Sequence, residues 1–107
     1  MNENEIRERI KKIYEDYISS IVLSMEELGL KNVSEKQLIE QYKIEIEALE
    51  AERKYLFEIM YNIVVSLLKE ETELHISLFT EFTEYCYKEN MESLCIAFDY
   101  YIAELIG

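Results

Sequence analysis

Residues that interrupt helices are scarce in this chain, which has no proline and only two glycines, Gly29 and Gly107. Of the 23 acidic residues, all but Asp16 and Asp99 are glutamate, which favours helix interiors over caps and turns. Half of the 107 residues are hydrophobic, which is enough for one buried core. The sequence therefore predicts one all-α domain over residues 1–107, an antiparallel bundle of three long or four shorter helices.

The sequence also shows no signal for targeting and none for a membrane-spanning helix. No run of about 18 apolar residues occurs, so we expect no helix that crosses a membrane. The first residues, MNENEIRERIKK, lack the apolar core of a signal peptide, which predicts a cytoplasmic protein. Cytoplasmic thiols are usually reduced, so Cys86 and Cys95 are expected to be free, small core residues.

Residues for catalysis or metal binding are few. His75 is the sole histidine; Glu71 lies one helical turn before it, but a metal site needs further ligands that no spacing supplies. One internal glycine cannot build a glycine-rich phosphate loop, and one histidine at a helix start is a poor base for a catalytic triad. We expect no metal, no cofactor and no enzymatic activity.

Apolar residues at three- and four-residue steps, from Ile6 to Ile21, predict a first helix over about 4–28 that ends at Gly29. A second helix should begin after Ser34, because Ser34 and Gln37 form a capping box. Val33 and Leu38 add a hydrophobic staple at the same boundary.

The second helix should reach about Leu68, although its apolar stripe weakens over residues 50–54, where a bend or a solvent crossing is expected. Thr72 is the expected cap of the third helix. Asn90 either caps a fourth helix or lies inside one long helix. An unbroken second helix would extend beyond the first, and a second copy of the chain could cover the excess, which makes a homodimer possible.

Charge is distributed unevenly along the chain, whose net charge is −12. Residues 73–107 carry seven acids against one base, Lys88, together with seven of the thirteen aromatic residues. The field of such a segment extends about 8 Å at physiological salt. Nucleic acids and anionic membranes would be repelled, whereas basic proteins would be attracted.

Acidic and tyrosine side chains at helical spacing form the candidate site. Its members are Glu81, Glu84, Tyr87, Glu92, Asp99 and Tyr100. The tyrosines fall outside the series of apolar residues at three- and four-residue steps that is expected to face the core. In a protein interface they would contribute contact area at small entropic cost. The alternative is that the tyrosines flank a wide core face and the acids are solvated. Near Tyr55, the acids Glu45, Glu47, Glu50 and Glu52 have Lys43, Arg53 and Lys54 close by, which indicates an ordinary solvated helix.

Three functions are compatible with these features. The first is a non-catalytic inhibitor or immunity-type protein, typical in composition of small bacterial or phage accessory proteins. It would dock its acidic face on a basic partner such as a nuclease, a defence protein or a toxin. The second is a chaperone or adaptor that offers an apolar groove to a client helix. The third is a structural or regulatory homodimer.

Overall fold

A computed structural model describes residues 1–27 and 46–107 of the chain. Within these residues it contains four α-helices and no strands: α1, Glu3–Glu27; α2, Ile46–Leu68; α3, Thr72–Lys88; and α4, Glu92–Ile106. α2 packs against α3, α3 against α4, and α1 against both α2 and α4. The predicted all-α architecture is thereby confirmed.

Neighbouring helices run antiparallel. Ser66 of α2 meets His75 of α3, whereas Tyr55, three turns earlier, packs against Tyr85, so α2 and α3 run in opposite directions. A three-residue connection also joins α3 to α4. On α1, Arg7 lies over the ring of Tyr61 whereas Tyr14, two turns later, packs against Phe57, so α1 and α2 run in opposite directions. Arg9 reaches Glu104 near the end of α4, so α1 and α4 are antiparallel as well.

The core lies between the apolar faces of the four helices, because each helix presents a stripe at the three- and four-residue spacing. Aromatic rings fill its centre: Phe82 and Phe98 meet edge to face, with ring centroids 5.2 Å apart. The buried apolar side chains are Ile6, Ile10, Ile13, Tyr14, Leu56, Ile59, Met60, Ile63, Val64, Phe82, Cys86, Leu94, Cys95, Phe98, Tyr101 and Ile102.

The turn between α3 and α4 resolves the alternatives left open at Asn90: the helix breaks there. Asn90 is not the cap of α4, however. It adopts the left-handed conformation, with φ of 59°, and Met91 occupies the N-cap position. The Met91 amide donates to the Cys86 carbonyl at 2.7 Å and the Asn90 amide to the Tyr87 carbonyl at 3.3 Å, which is a Schellman ending of α3.

The turn between α2 and α3 repeats this geometry without glycine or asparagine. Glu70 is left-handed, with φ of 59°. The Glu71 amide donates to the Ser66 carbonyl at 2.9 Å and the Glu70 amide to the Leu67 carbonyl at 3.1 Å. Glu71 occupies the N-cap position of α3, so the sequence-based assignment of Thr72 as the cap is one residue late.

Other boundaries compare as follows. α1 begins one residue before the expected residue 4, and α2 ends at the expected Leu68. α2 continues through residues 50–54 without a break. The predicted capping box of Ser34 and Gln37, the staple of Val33 and Leu38, and the ending at Gly29 lie outside the described residues.

The two cysteines are not on one helix, because the break at residues 89–91 separates them. Both are buried and free, and the Thr83 hydroxyl lies 3.8 Å from the Cys95 sulfur across the α3–α4 contact. Burial, assisted by the neighbouring Cys95 and by the charge of Glu92, raises the pKa of Cys86 to about 12. Such a thiol stays protonated at neutral pH.

Candidate protein-binding surface

Two of the six candidate residues, Glu84 and Tyr87, lie on the outer surface of α3. Thr83 marks the edge of α3 that faces α4, because it contacts Cys95. Tyr87 comes one turn later on the same edge and is 62% exposed. Glu84 is exposed and follows Thr83 by one residue, so it lies on the side of α3 that faces away from the core.

Glu92 and Asp99 lie on the edge of α4 that faces α3. Asp99 follows Cys95 by one turn and is exposed, and Glu92 precedes Asp99 by two turns. Glu92 is half-buried in the first turn of α4, where a carboxylate is favoured by the helix dipole. Tyr87, Glu92 and Asp99 therefore share the α3–α4 edge.

Glu81 lies on the opposite edge of α3, towards α2. Its carboxylate accepts a hydrogen bond from the Tyr55 hydroxyl at 3.2 Å. Both side chains line a groove between α2 and α3 with a volume of about 490 Å³. Ala51, Ile59 and Leu78 contribute apolar side chains to the lining of this groove. The structure therefore separates Glu81 from the α3–α4 edge.

Tyr100 lies on the outward side of α4 and is 71% exposed. It lines a shallow depression of about 440 Å³ together with Asp99 and Ala103. On its other side it lines a groove between α1 and α4, of about 690 Å³, to which α1 contributes Arg9 and Lys12. Tyr100 thus lies between the acidic α3–α4 edge and the cationic side chains of α1.

Two ion pairs join α1 to the other described helices. Arg9 pairs with Glu104 at 3.0 Å and lies 4.8 Å from the centre of the Tyr101 ring. Arg7 pairs with Glu58 at 2.9 Å. Among the described residues, the six other acids of 73–107 form no ion pair with lysine or arginine. These acids are Glu73, Glu81, Glu84, Glu89, Glu92 and Asp99.

Exposed isoleucines are the part of this surface that the sequence reasoning missed. Ile96 and Ile106 on α4 are 57% and 71% exposed. They share the outward face of α4 with Tyr100 and Ala103, at steps of four, three and three residues. One signal was available: the fifteen residues of α4 include three acids and no base, so apolar residues occupy nearly its whole circumference.

Glu52 differs from the solvated residue expected near Tyr55. It is half-buried and accepts a hydrogen bond from the Tyr85 hydroxyl. Burial, with this hydrogen bond, raises the pKa of Tyr85. The contact joins α2 to α3 beside the Tyr55 ring, whose centre lies 5.0 Å from that of Tyr85. Glu50 is exposed, and the side chains of Glu45 and Glu47 lie outside the described part.

His75 has a structural position at the start of α3. Its Nδ1 lies 3.1 Å from the carbonyl oxygen of Ile63, which can only accept, so Nδ1 carries the proton and donates. Ser66 donates to the same carbonyl at 2.8 Å. In residues 1–27 and 46–107 no group of three histidine, cysteine or acidic side chains is arranged to hold a metal ion. The absence of a metal, a cofactor and catalysis remains a prediction.

Two further findings concern membrane-spanning helices and similarity to known proteins. None of the described helices combines the length and apolar character that crossing a membrane requires. Comparison with family models, curated proteins and solved structures finds no match for this chain.

Proposed function

We propose that this chain is a non-catalytic, acidic, helical binding protein of the inhibitor or immunity type, acting in the cytoplasm of a bacterium or on behalf of a phage. Its α3–α4 side docks on a basic surface of a protein partner such as a nuclease, a defence protein or a toxin. The observation that supports this is the combination of six acids that pair with no described base and two exposed tyrosines, Tyr87 and Tyr100.

Electrostatics gives this surface its selectivity. Carboxylates without counter-charges steer a basic partner during encounter and repel acidic ones. A surface that evolved to hold phosphate groups offers lysine and arginine side chains at spacings that carboxylates can also satisfy. Glu84, Glu92 and Asp99 would therefore compete with nucleic acid for such a surface, while Tyr87 and Tyr100 contribute contact area.

The test begins with a pull-down from the native host by the tagged protein, washed at low and at high salt. Binding of the recovered partner is then titrated against the double reversal Glu84→Lys with Asp99→Lys. We expect an affinity loss of at least tenfold and a smaller salt dependence, because fewer counter-charges are engaged. The matched control reverses two exposed acids of α1, Glu8 and Glu15.

Equal losses in the α1 control would show that total charge matters rather than the α3–α4 side. Unchanged affinity in the Glu84 and Asp99 variant would remove the basis of the proposal. Circular dichroism of both variants checks that the helices are intact.

A second function, the helical adaptor, is favoured by the groove between α2 and α3. That groove is lined on the α2 side by the exposed Ala51 and Tyr55 and by the buried Ile59, with Leu78 of α3 opposite. A client helix could insert apolar side chains there. Binding in this groove should hardly change with salt and should be lost in Ala51→Trp, whereas the inhibitor function should show the reverse behaviour.

A further inference from the structure

The outward face of α4 differs from the exposed face of an ordinary bundle helix. Such a face is usually polar. Here it carries Ile96, Tyr100, Ala103 and Ile106, which we call the α4 stripe, and three of the four rank among the exposed large hydrophobic residues of the described chain. From Ile96 to Ile106 the stripe extends about 15 Å, which is nearly three helical turns. A partner helix of about three turns would extend along its whole length.

The shape of the α4 stripe is also complementary to a partner helix, because it contains a depression between larger side chains. Ala103 is the only small side chain in it, and the depression of about 440 Å³ lies between Tyr100, Ala103 and Ile106. A large apolar side chain of a partner can enter this depression, as a knob enters a hole between helices. The other two or three anchors of an amphipathic helix would then lie against Ile96 and Ile106.

Charge determines what kind of helix fits. Glu92 and Asp99 lie along the α3 side of the α4 stripe, in the helical row that continues to Ile106; the two acids are two turns or about 10 Å apart, and neither is paired with a described base. α4 itself has no lysine or arginine. A second α4 would therefore supply no counter-charge to this border and would add like charges to it. A cationic partner supplies both of the missing ion pairs.

We infer that the α4 stripe is the docking site for a basic amphipathic helix of a partner protein. This helix carries apolar residues at i, i+3 or i+4, and i+7, and arginine or lysine seven residues apart on the edge that faces Glu92 and Asp99. The inference rests on the proposed function and deepens it, because it names the helical element of the basic partner and the part of α4 that receives it.

The experiment selects from a displayed library of random 16-residue peptides on the full-length wild-type protein and then measures the enriched peptides against the variant Ala103→Trp. Ala103 is exposed, so the indole fills the depression without entering the core. We expect enriched peptides to show the apolar spacing with at least two cations. Their affinity, measured by fluorescence anisotropy, should fall at least tenfold in Ala103→Trp and in Asp99→Lys. The matched control Ser77→Trp, on the exposed surface of α3, should bind as the wild type does.

Several outcomes overturn the inference. Enriched peptides that bind Ala103→Trp as well as the wild type, or a selection that enriches no peptide, would show that the α4 stripe is not the docking site. Peptides that are cationic, lose affinity in Glu84→Lys and ignore Ala103→Trp would leave the proposed function standing while refuting the α4 site. Peptides without cations, whose binding is insensitive to salt, would refute both.

Self-association is the remaining alternative, and sedimentation of the wild type tests it. A monomer at micromolar concentration agrees with the inference. A dimer that Ala103→Trp converts to monomer would show that a second copy covers the α4 stripe, and the basic helix would then have no place on it.

Discussion

The two turns of the α2–α3–α4 region invite a direct comparison of residues in the left-handed conformation. Glu70 and Asn90 have the same φ of 59° in the same Schellman hydrogen-bond pattern, yet only asparagine tolerates that conformation readily. Replacing Glu70 by asparagine should therefore stabilise the protein, and replacing it by glycine should do so as well.

The magnitude follows from two contributions. A side chain other than glycine or asparagine in the left-handed region costs about 1–2 kcal/mol. Glu70 also places a negative charge at the carboxyl end of α2, where the helix dipole disfavours it by about 0.3–1 kcal/mol. Glycine gives a smaller net gain, because it increases the conformational entropy of the unfolded chain and thereby lowers stability by about 0.5–1 kcal/mol. We expect about 1 kcal/mol of stabilisation for Glu70→Asn and somewhat less for Glu70→Gly.

Thermal and urea unfolding measure the effect. A gain of about 1 kcal/mol raises the Tm by about 4 °C in a chain of this size. Glu70→Gln removes the charge and keeps the backbone strain, so it should recover only a few tenths of a kcal/mol. Asn90→Glu is the reciprocal test and should be destabilising. If Glu70→Asn and Glu70→Gln have the same stability, the strain at this turn is absent and the reasoning fails.

Three further predictions concern titration and individual contacts. The pKa of Cys86 is raised by burial from 9.0 to about 12, so the folded state keeps a proton that the unfolded chain releases; stability is complete below pH 9 and falls as the pH rises towards 12. Urea midpoints at about pH 8 and about pH 10.5 should differ less in Cys86→Ala than in the wild type, and equal differences would contradict this. A double-mutant cycle of Arg9→Gln with Glu104→Gln should give a coupling of about 0.2–1 kcal/mol that shrinks with salt, because the pair is exposed; a salt-independent coupling would oppose this view. His75→Asn should keep a donor to the Ile63 carbonyl and melt near the wild type, whereas His75→Leu should lose about 0.5–1.5 kcal/mol; equal melting of the two would argue against that hydrogen bond.

The sequence predicted helices and core positions well because both follow from local periodicity. Ile6, Ile10 and Ile13 recur at helical spacing and are buried, and Leu94 and Phe98, which are four residues apart, are buried too. Turn positions were found only to within one or two residues. Glu70 gives no sign of a left-handed residue, since its conformation is imposed by the packing of α2 against α3 rather than by its own preference.

The candidate surface was predictable in its residue types but not in its arrangement. Helical periodicity correctly placed Tyr87 and Tyr100 off the main apolar stripe, and both are exposed. Periodicity counted along one continuous helix put Glu81 on the same side as Asp99. The break at residues 89–91 reverses the chain and separates the two. Which edge of each helix meets its neighbour depends on long-range packing, which a single sequence does not encode in its spacing.

The matching turns have a kinetic consequence. Three successive helices joined by three-residue connections contact one another at moderate sequence separations, such as the 33 residues between Glu52 and Tyr85, so we expect them to associate with a modest loss of loop-closure entropy. α1 closes the bundle through contacts such as that between Arg9 and Glu104, which are 95 residues apart. We therefore expect docking of the amino-terminal helix to be the slow, late event in folding, and its amides should exchange with solvent deuterium before those of α2 and α3.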